Sequence, residues 1–354
     1  MTTSQKRPSR LLISGVAGLI GSRLARELLA AGWEVLGIDD FSGGWKERLP
    51  SHDCFRFVEL DMTEPGALGD LLRREIQVGG PFEAFVHLAA RVGVRSVLRD
   101  PEGCRDSNLN GVGALTEALS SLADTDRPRV YAASTSEVYR EARRPLHEGD
   151  ATRSTAGEGR WAYAGSKLRG EQLLDEACAS WTASKRPIHL RFFNVVGPGQ
   201  DAASGMVLAN FVEQALAGQD IRVHGDGSQV RTFAHVNEVA RSLAEIVVQG
   251  NCPAGPLNLG GVALTEIGDL ARCVLRLSGS TSTIMNTNPL EDCGSNFEPI
   301  HYREPDLGRL ASFGVHLPQM SLEDIVLDSL QKHSLLSKPS QRDPRSSMCV
   351  SPAS

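Results

Sequence analysis

Leu11-Leu12-Ile13-Ser14-Gly15-Val16-Ala17-Gly18-Leu19-Ile20-Gly21 decides the fold. Its opening apolar run ends in glycines, the pattern of a buried strand entering a tight turn. From residue 19 to 31 apolar positions recur at helical spacing through Leu24, Leu28 and Ala31, and Gly32 stops the helix. Glycines between a strand and a helix let the backbone turn sharply and approach a pyrophosphate. That anion rests on the helix N-terminus, where free N–H groups favour it. The next strand, Trp33 to Ile38, closes on Asp39-Asp40, with Asp39 standing 18 residues beyond Gly21. A carboxylate there accepts from both hydroxyls of an adenosine ribose and repels an added phosphate, so the pattern predicts NAD rather than NADP. Three spaced glycines would arise by chance roughly 0.3 times in this chain, so the strand, helix and acidic partner carry the reading.

Outward from this stretch, strands are expected at Phe55–Leu60, Ala84–Leu88 and Arg129–Ala133, with helical patterns between most of them. Alternating strands and helices give right-handed βαβ units and a doubly wound parallel α/β sheet. The second half is less regular. A strand from Phe192 runs into a loop at Gly199, and helices are expected at Met206–Ala217, Thr265–Leu277 and Ser321–His333. A short strand is expected at Ile221–His224 and an irregular stretch from the third of these helices to about residue 310. Residues 1–9 are expected to be flexible, and residues 334–354, rich in Pro and Ser beyond 337, to form a disordered tail.

Composition limits the functions open to the chain. Its 354 residues suffice for one large or two modest domains, and 41% hydrophobic with 23% charged residues is ordinary globular usage. The net charge of −6 argues against a nucleic-acid partner. No apolar stretch reaches the roughly 18–20 residues that span a bilayer, and the polar N-terminus does not read as a signal peptide, so a cytoplasmic protein with no membrane partner is expected. The 7 cysteines are scattered and never form a C-x-x-C pair, which predicts neither a disulfide framework nor a metal site.

Tyr163-Ala164-Gly165-Ser166-Lys167 places a phenol and an ammonium four residues apart, on one face of a helix. A neighbouring ammonium favours the phenolate and suits the tyrosine to act as a general base. With 4 Tyr and few Lys the spacing arises by chance roughly 0.07 times, which makes it more telling than the glycines. Ser134-Thr135-Ser136-Glu137 follows the fifth strand, at the carboxyl edge where open α/β sheets bind ligands. A hydroxyl there can hold a substrate alcohol while Tyr163 takes its proton, and Glu137 is a second candidate acid/base.

These motifs resemble the extended short-chain dehydrogenase/reductase family, specifically its NAD-dependent nucleotide-sugar epimerases, dehydratases and decarboxylases. The resemblance runs from about residue 10 to 333 through Gly15–Gly21, Asp39–Gly43, Asp61-Met62, His87–Ala90, Ser134–Tyr139, Tyr163–Lys167 and Arg191–Asn194. It continues through Gly197–Gly199, Val223–Arg231 and Arg303–Asp306. It implies a Rossmann-type doubly wound parallel sheet over residues 10–192, with returns at about 232–262, and a smaller C-terminal α/β substrate domain mainly over 193–333. Homodimerisation is common among such proteins and is expected here.

By the same resemblance Gly15, Gly18, Leu19, Ile20 and Gly21 would line the NAD pyrophosphate, Asp39 the ribose and Asp61-Met62 the adenine. Leu88, Ala89 and Ala90 would border the cofactor. Thr135, Tyr163 and Lys167 would be hydroxyl, base and helper, with Tyr163 and Lys167 also meeting the cofactor. Asn194 and Arg231 would hold a nucleotide-sugar diphosphate, Val223 would run under the base, and Ser136 and Arg303 would touch substrate. The shared first step would oxidise the sugar at C4, and the fate of the ketone would follow from the site. Ser134–Tyr139 with Arg160-Trp161 resembles UDP-glucuronate decarboxylases and some dehydratases. Gly93-Val94-Arg95-Ser96 resembles UDP-glucuronate 4-epimerases, and Arg95 could meet a sugar carboxylate. On balance 4-epimerisation of a UDP-sugar such as UDP-glucuronate or a UDP-hexose is expected first. Decarboxylation, dehydration and reduction of a 4-keto sugar are the alternatives, and a non-catalytic NAD-binding protein is the remaining one. Arg140 and Val196 stand where relatives carry Gly and Tyr.

Overall fold

Strand β1 (Arg10–Ser14) pairs in parallel with β2 (Glu34–Asp39) on one side and β4 (Ala84–His87) on the other. The computed structural model describes residues 8–155, 157–288, 298 and 300–336. Seven strands form the main sheet in the order β3 (Phe55–Glu59), β2, β1, β4, β5 (Arg129–Thr135), β6 (Ile188–Phe192) and β11 (Gly255–Leu259), all parallel. The order reverses between β1 and β4, so their carboxyl ends open a crevice at the topological switch point.

Helices cover both faces, which is why Leu11, Leu12 and Ile13 are all fully buried instead of alternating with polar residues. Leu11 and Ile13 share a core with Leu24 and Leu28 of α1 (Leu19–Ala30) and Leu243 and Ile246 of α7 (Val236–Gln249). Leu12 faces the other way, toward Leu68 and Leu72 of α2 (Ala67–Gly79) and Leu115 of α4 (Pro101–Ser120). Each such side chain contributes about 1.5–3 kcal/mol of burial. Helix α5 (Ala162–Ala177), which carries the Tyr163 motif, packs beside α4.

The remaining chain adds a smaller α/β layer. Strand β8 (Ile221–His224) pairs with β13 (Ile284–Thr287), and β9 (Val230–Thr232) pairs with β12 (Leu264–Glu266) and β14 (Tyr302–Arg303). Helices α6 (Val207–Leu216), α8 (Ile267–Ser278) and α10 (Leu322–Leu336) bury Phe211, Val274 and Ile325 with Val223 in a separate core. Two corrections follow for this half. The stretch expected to be irregular up to residue 310 contains β13 and β14. The last helix runs on to Leu336, three residues into the expected tail, and residues 337–354 lie outside the described residues, as do residues 1–7. Among the described residues no helix is long and apolar enough to cross a membrane.

Candidate active site

The glycine loop is shaped by close backbone approach. Gly15 has φ +75°, and a Cβ there would lie 2.6 Å from the Ala89 backbone nitrogen. A Cβ on Gly21 would lie 2.2 Å from the Gly15 carbonyl oxygen. The loop after β1 is thus pressed against Leu88-Ala89 after β4, and α1 begins with bare backbone facing the crevice. This cradle fits a pyrophosphate. At the end of β2, Asp39 Oδ2 accepts from Ala17 N and Oδ1 from Phe41 N, each at 2.9 Å. Burial raises the Asp39 pKa while those two bonds oppose the rise. Each carboxylate oxygen keeps a lone pair for a ribose hydroxyl. Asp61 is exposed and accepts from Thr63 N at 2.8 Å, beside buried Met62. These residues fit NAD.

A cleft of about 1020 Å³ runs from the glycine loop past the ends of β4 and β5. It is lined by Gly15, Gly18, Leu19, Ile20, Gly21, Asp39, Asp61, Met62 and Leu88–Ala90 at one end, and by Thr135, Ser136, Glu137, Tyr163, Lys167, Asn194 and Arg303 at the other. Tyr163 is half-buried and hydrogen-bonded to Thr135. Burial first, and then the charge of Glu137, push its pKa up; the Thr135 bond opposes them. Lys167 is buried and donates from Nζ to the Ala133 carbonyl at 3.0 Å. Its pKa is lowered to about 8 by burial. His87, beneath it, is pushed down to about 3 by burial and by Lys167, and pairs through Nδ1 with Ser14 Oγ at 2.7 Å.

Glu137 is clasped by Arg160 at 3.0 Å and Arg303 at 3.6 Å. Burial would raise its pKa, but Arg303 and then Arg160 outweigh that and hold it below the usual carboxylate range. Arg231 adjoins the group, lowered to about 9 by burial and then by Arg303. Two guanidinium groups, Arg160 and Arg303, thus pair with one carboxylate in the cleft lining, while Arg231 acts on it only through its field. Arg160 comes from the turn before α5, and its Nε donates to the Glu298 carbonyl at 2.9 Å.

Some expected residues stand elsewhere. Arg95 lies on α3 (Val94–Arg99), is exposed, and reaches the Ala202 carbonyl at 3.5 Å instead of lining the cleft. The Val223 side chain is in the core of the smaller layer. Arg231 donates to the carbonyls of Val230 at 2.8 Å and Ile300 at 2.5 Å, behind the cleft wall. Asn194, at φ +34°, donates to the Thr232 carbonyl at 2.9 Å and ties the loop after β6 to β9. Val196 lines the cleft, while Arg140 is exposed. Two contributors were not expected as site residues. Arg160 was visible only as part of a resemblance, and Arg48, buried in the cleft wall and stacked on Trp45, gave no sequence sign at all.

A parallel doubly wound sheet, a pyrophosphate cradle at its switch point and a Tyr–Lys helix beside it define a dinucleotide-dependent enzyme. Residues 11–260 match the NAD dependent epimerase/dehydratase family, and the chain belongs to it. NAD is its cofactor. Among curated relatives, a UDP-N-acetyl-alpha-D-glucosaminuronate decarboxylase from Bacillus cytotoxicus is 28% identical over 329 residues, covering 91% of this chain and 97% of that one. A UDP-glucuronate 4-epimerase from Thermodesulfobacterium geofontis is 30% identical over 260 residues, covering 71% and 74%. A crystal structure of UDP-glucuronic acid 4-epimerase from Bacillus cereus, in complex with UDP-glucuronic acid and NAD, shares the fold. Its TM-score is 0.79 at 24% identity, over 93% of this chain and 100% of that one.

Proposed function

We propose that this protein inverts C4 of a UDP-linked sugar that carries a C6 carboxylate, with UDP-glucuronate as the reference substrate. The observation that carries the reading is the excess of two cleft-lining guanidinium groups, Arg160 and Arg303, over Glu137, next to Tyr163 and Thr135. Thr135 Oγ1 and the Tyr163 phenol would hold the C4 hydroxyl between them, and Tyr163 would take its proton. When bound, NAD supplies a two-electron acceptor whose positive ring favours the phenolate. Lys167, charged below about pH 8, adds to that field.

Oxidation at C4 makes the C6 carboxylate β to a ketone, and such carboxylates lose carbon dioxide as their charge moves into the ring. Guanidinium groups that hold the charge on the carboxylate stabilise this ground state more than the transition state and so slow the loss. The sugar then survives long enough to turn and be reduced on its other face. A second reading, decarboxylation, is favoured by Glu137: an ionised carboxylate beside Tyr163 disfavours another in the same place. The name of the relative from Bacillus cytotoxicus supports that reading too.

The test is proton NMR with mass spectrometry on the protein incubated with NAD and UDP-glucuronate, and separately with its N-acetylglucosaminuronate counterpart. An isomer of unchanged mass supports epimerisation. Loss of carbon dioxide replaces it with the second reading. Neither product, with NAD bound, defeats both.

A further inference from the structure

Strand β7 (Val195–Val196), which pairs with β10 (Ala234–His235), leads into a flap of residues 197–205. The flap begins at Gly197 (φ +149°) and ends at Gly205 (φ +86°), backbone that L side chains rarely adopt, so both ends can absorb a change of direction. Between them the backbone closes local turns: Gln200 N donates to the Gly197 carbonyl at 3.3 Å and Gly205 N to the Ala202 carbonyl at 2.9 Å. Gly199, Gln200, Asp201, Ala203 and Ser204 line the same cleft as the glycine loop.

Arginines from the cofactor side hold this flap down. Arg23 of α1 donates from Nη2 to the Pro198 carbonyl at 2.9 Å. Arg48 donates from Nη2 to the next carbonyl, that of Gly199, and from Nη1 to the Ala17 carbonyl at 3.4 Å. One guanidinium thus bridges the glycine loop and the flap. Arg48 is itself fixed, with its guanidinium 3.8 Å from the centre of the Trp45 ring and its own carbonyl accepting from Arg26 Nη2 at 2.8 Å. The long bond from Arg95 to Ala202 adds a marginal third tie.

This arrangement is electrostatically unfavourable. Arg48 is 7% exposed, and its Nε has no hydrogen-bond partner. Burial, and then the charge of Arg23, lower its pKa to about 10, while Asp201 and Asp39 oppose them. Two guanidinium groups on consecutive carbonyls repel each other, and a brace that served stability alone would be better built from apolar side chains. Like charges on a glycine-ended segment suit a contact that opens and closes.

We propose that Arg48, with Arg23, is a clasp that holds residues 197–205 against the glycine loop and so sets the rate at which NAD enters and leaves the cleft. Both are positioning residues, because they act through the flap. A closed clasp raises the barrier in both directions and leaves the binding equilibrium nearly untouched. The clasp acts on the cofactor alone and is independent of the sugar and of its fate.

The experiment loads the full-length protein with NADH and mixes it with excess NAD, so that the loss of fluorescence reads koff. Equilibrium titration gives Kd, and kon follows as koff/Kd. Arg48→Met keeps the length of the side chain and removes its donors. It should raise koff by about tenfold, the scale of one lost charge-assisted bond, with Kd within about twofold, so that kon rises in step. Arg48→Lys still reaches one carbonyl and should fall between Arg48→Met and the wild type. Arg23→Met should raise both rates by about threefold. A koff that rises with Kd while kon stays fixed overturns the clasp, since Arg48 would then hold the cofactor itself. An unchanged koff in folded Arg48→Met overturns it as well. If Arg48→Met does not fold, Arg23→Met decides on the same two criteria.

Discussion

The two ends of the cleft are built by different means. At the cofactor end the recognition surface is backbone, fixed by glycines a few residues apart and by one carboxylate at the end of the neighbouring strand. At the other end it is side-chain charge, gathered from residues 137, 160 and 303 on three separate elements. The first is short-range in sequence and tolerates no added atoms. The second is long-range and set by electrostatic balance. Substitutions at the two ends should therefore fail in different ways.

Tyr163 stands between the two ends, and its loss has the largest expected effect. Tyr163→Phe should lower kcat by roughly 10³-fold, within the range for removing a general base, while the Kd for NAD stays within about twofold. Isothermal titration beside steady-state rates checks it. A matching collapse of NAD binding would mean that the catalytic group cannot be separated from the cofactor end.

Gly21→Ala comes next. The added methyl meets the Gly15 carbonyl at 2.2 Å, so the loop or the first turn of α1 must shift by more than an ångström. NAD affinity should fall by about 10–100-fold, with stability lower by roughly 1–3 kcal/mol. Binding of UDP alone should be unchanged. If UDP binding falls in step, the two ends are one cooperative unit and the contrast between them fails.

Arg303→Gln probes the charge balance. With Arg303 in place the Glu137 pKa is depressed, so its pairing stabilises the fold above the ordinary carboxylate range, and that stability is lost as pH falls through the depressed value. Without Arg303, burial is opposed chiefly by Arg160 and the pKa rises. The variant should be destabilised by roughly 1–3 kcal/mol near pH 7, since Arg160 still pairs with Glu137, with the deficit shrinking toward acid pH as Glu137 becomes protonated. Thermal unfolding of both proteins from pH 4 to 8 measures it. A deficit independent of pH would show that packing, not charge, holds this corner.

This contrast also explains what could be read in the sequence. Gly15, Gly18, Gly21 and Asp39 lie on consecutive elements, and the turn that needs glycine is encoded where it occurs. The Tyr163–Lys167 pair is legible for the same reason, since one helix fixes its spacing. The doubly wound sheet follows from apolar runs such as Leu11–Ile13, which buries both faces. The Glu137 cluster has no local spacing. Arg160 reaches Glu137 only because the turn before α5 comes close to the turn that follows β5, and Arg303 only because β14 joins β9. A guanidinium in a loop has the same one-letter code whether it faces water or a carboxylate. Arg48 stayed hidden because its burial depends on Trp45 and on the carbonyl of Gly199, far along the chain.

Arg95 gives the smallest expected effect and the sharpest check on local reading. Its position after Gly93-Val94 invites a role with a sugar carboxylate, and its charge has the right sign. The fold turns it away: α3 presents it to solvent, and its side chain makes a long bond to the Ala202 carbonyl at 3.5 Å. An exposed arginine with a marginal bond contributes little, and surface substitutions of this kind usually fall within about 0.5 kcal/mol. Arg95→Ala should change stability by no more than that and leave KM for a uronate-bearing nucleotide sugar within about twofold. The Arg303 variant should raise the same KM by tenfold or more, because a charge-assisted contact to a carboxylate would be lost from a buried site. A large KM effect at Arg95 would mean that α3 swings over the cleft when substrate binds. The anionic end of the sugar would then be recognised by a segment next to the cofactor loop, and the division between the two ends would have to be redrawn.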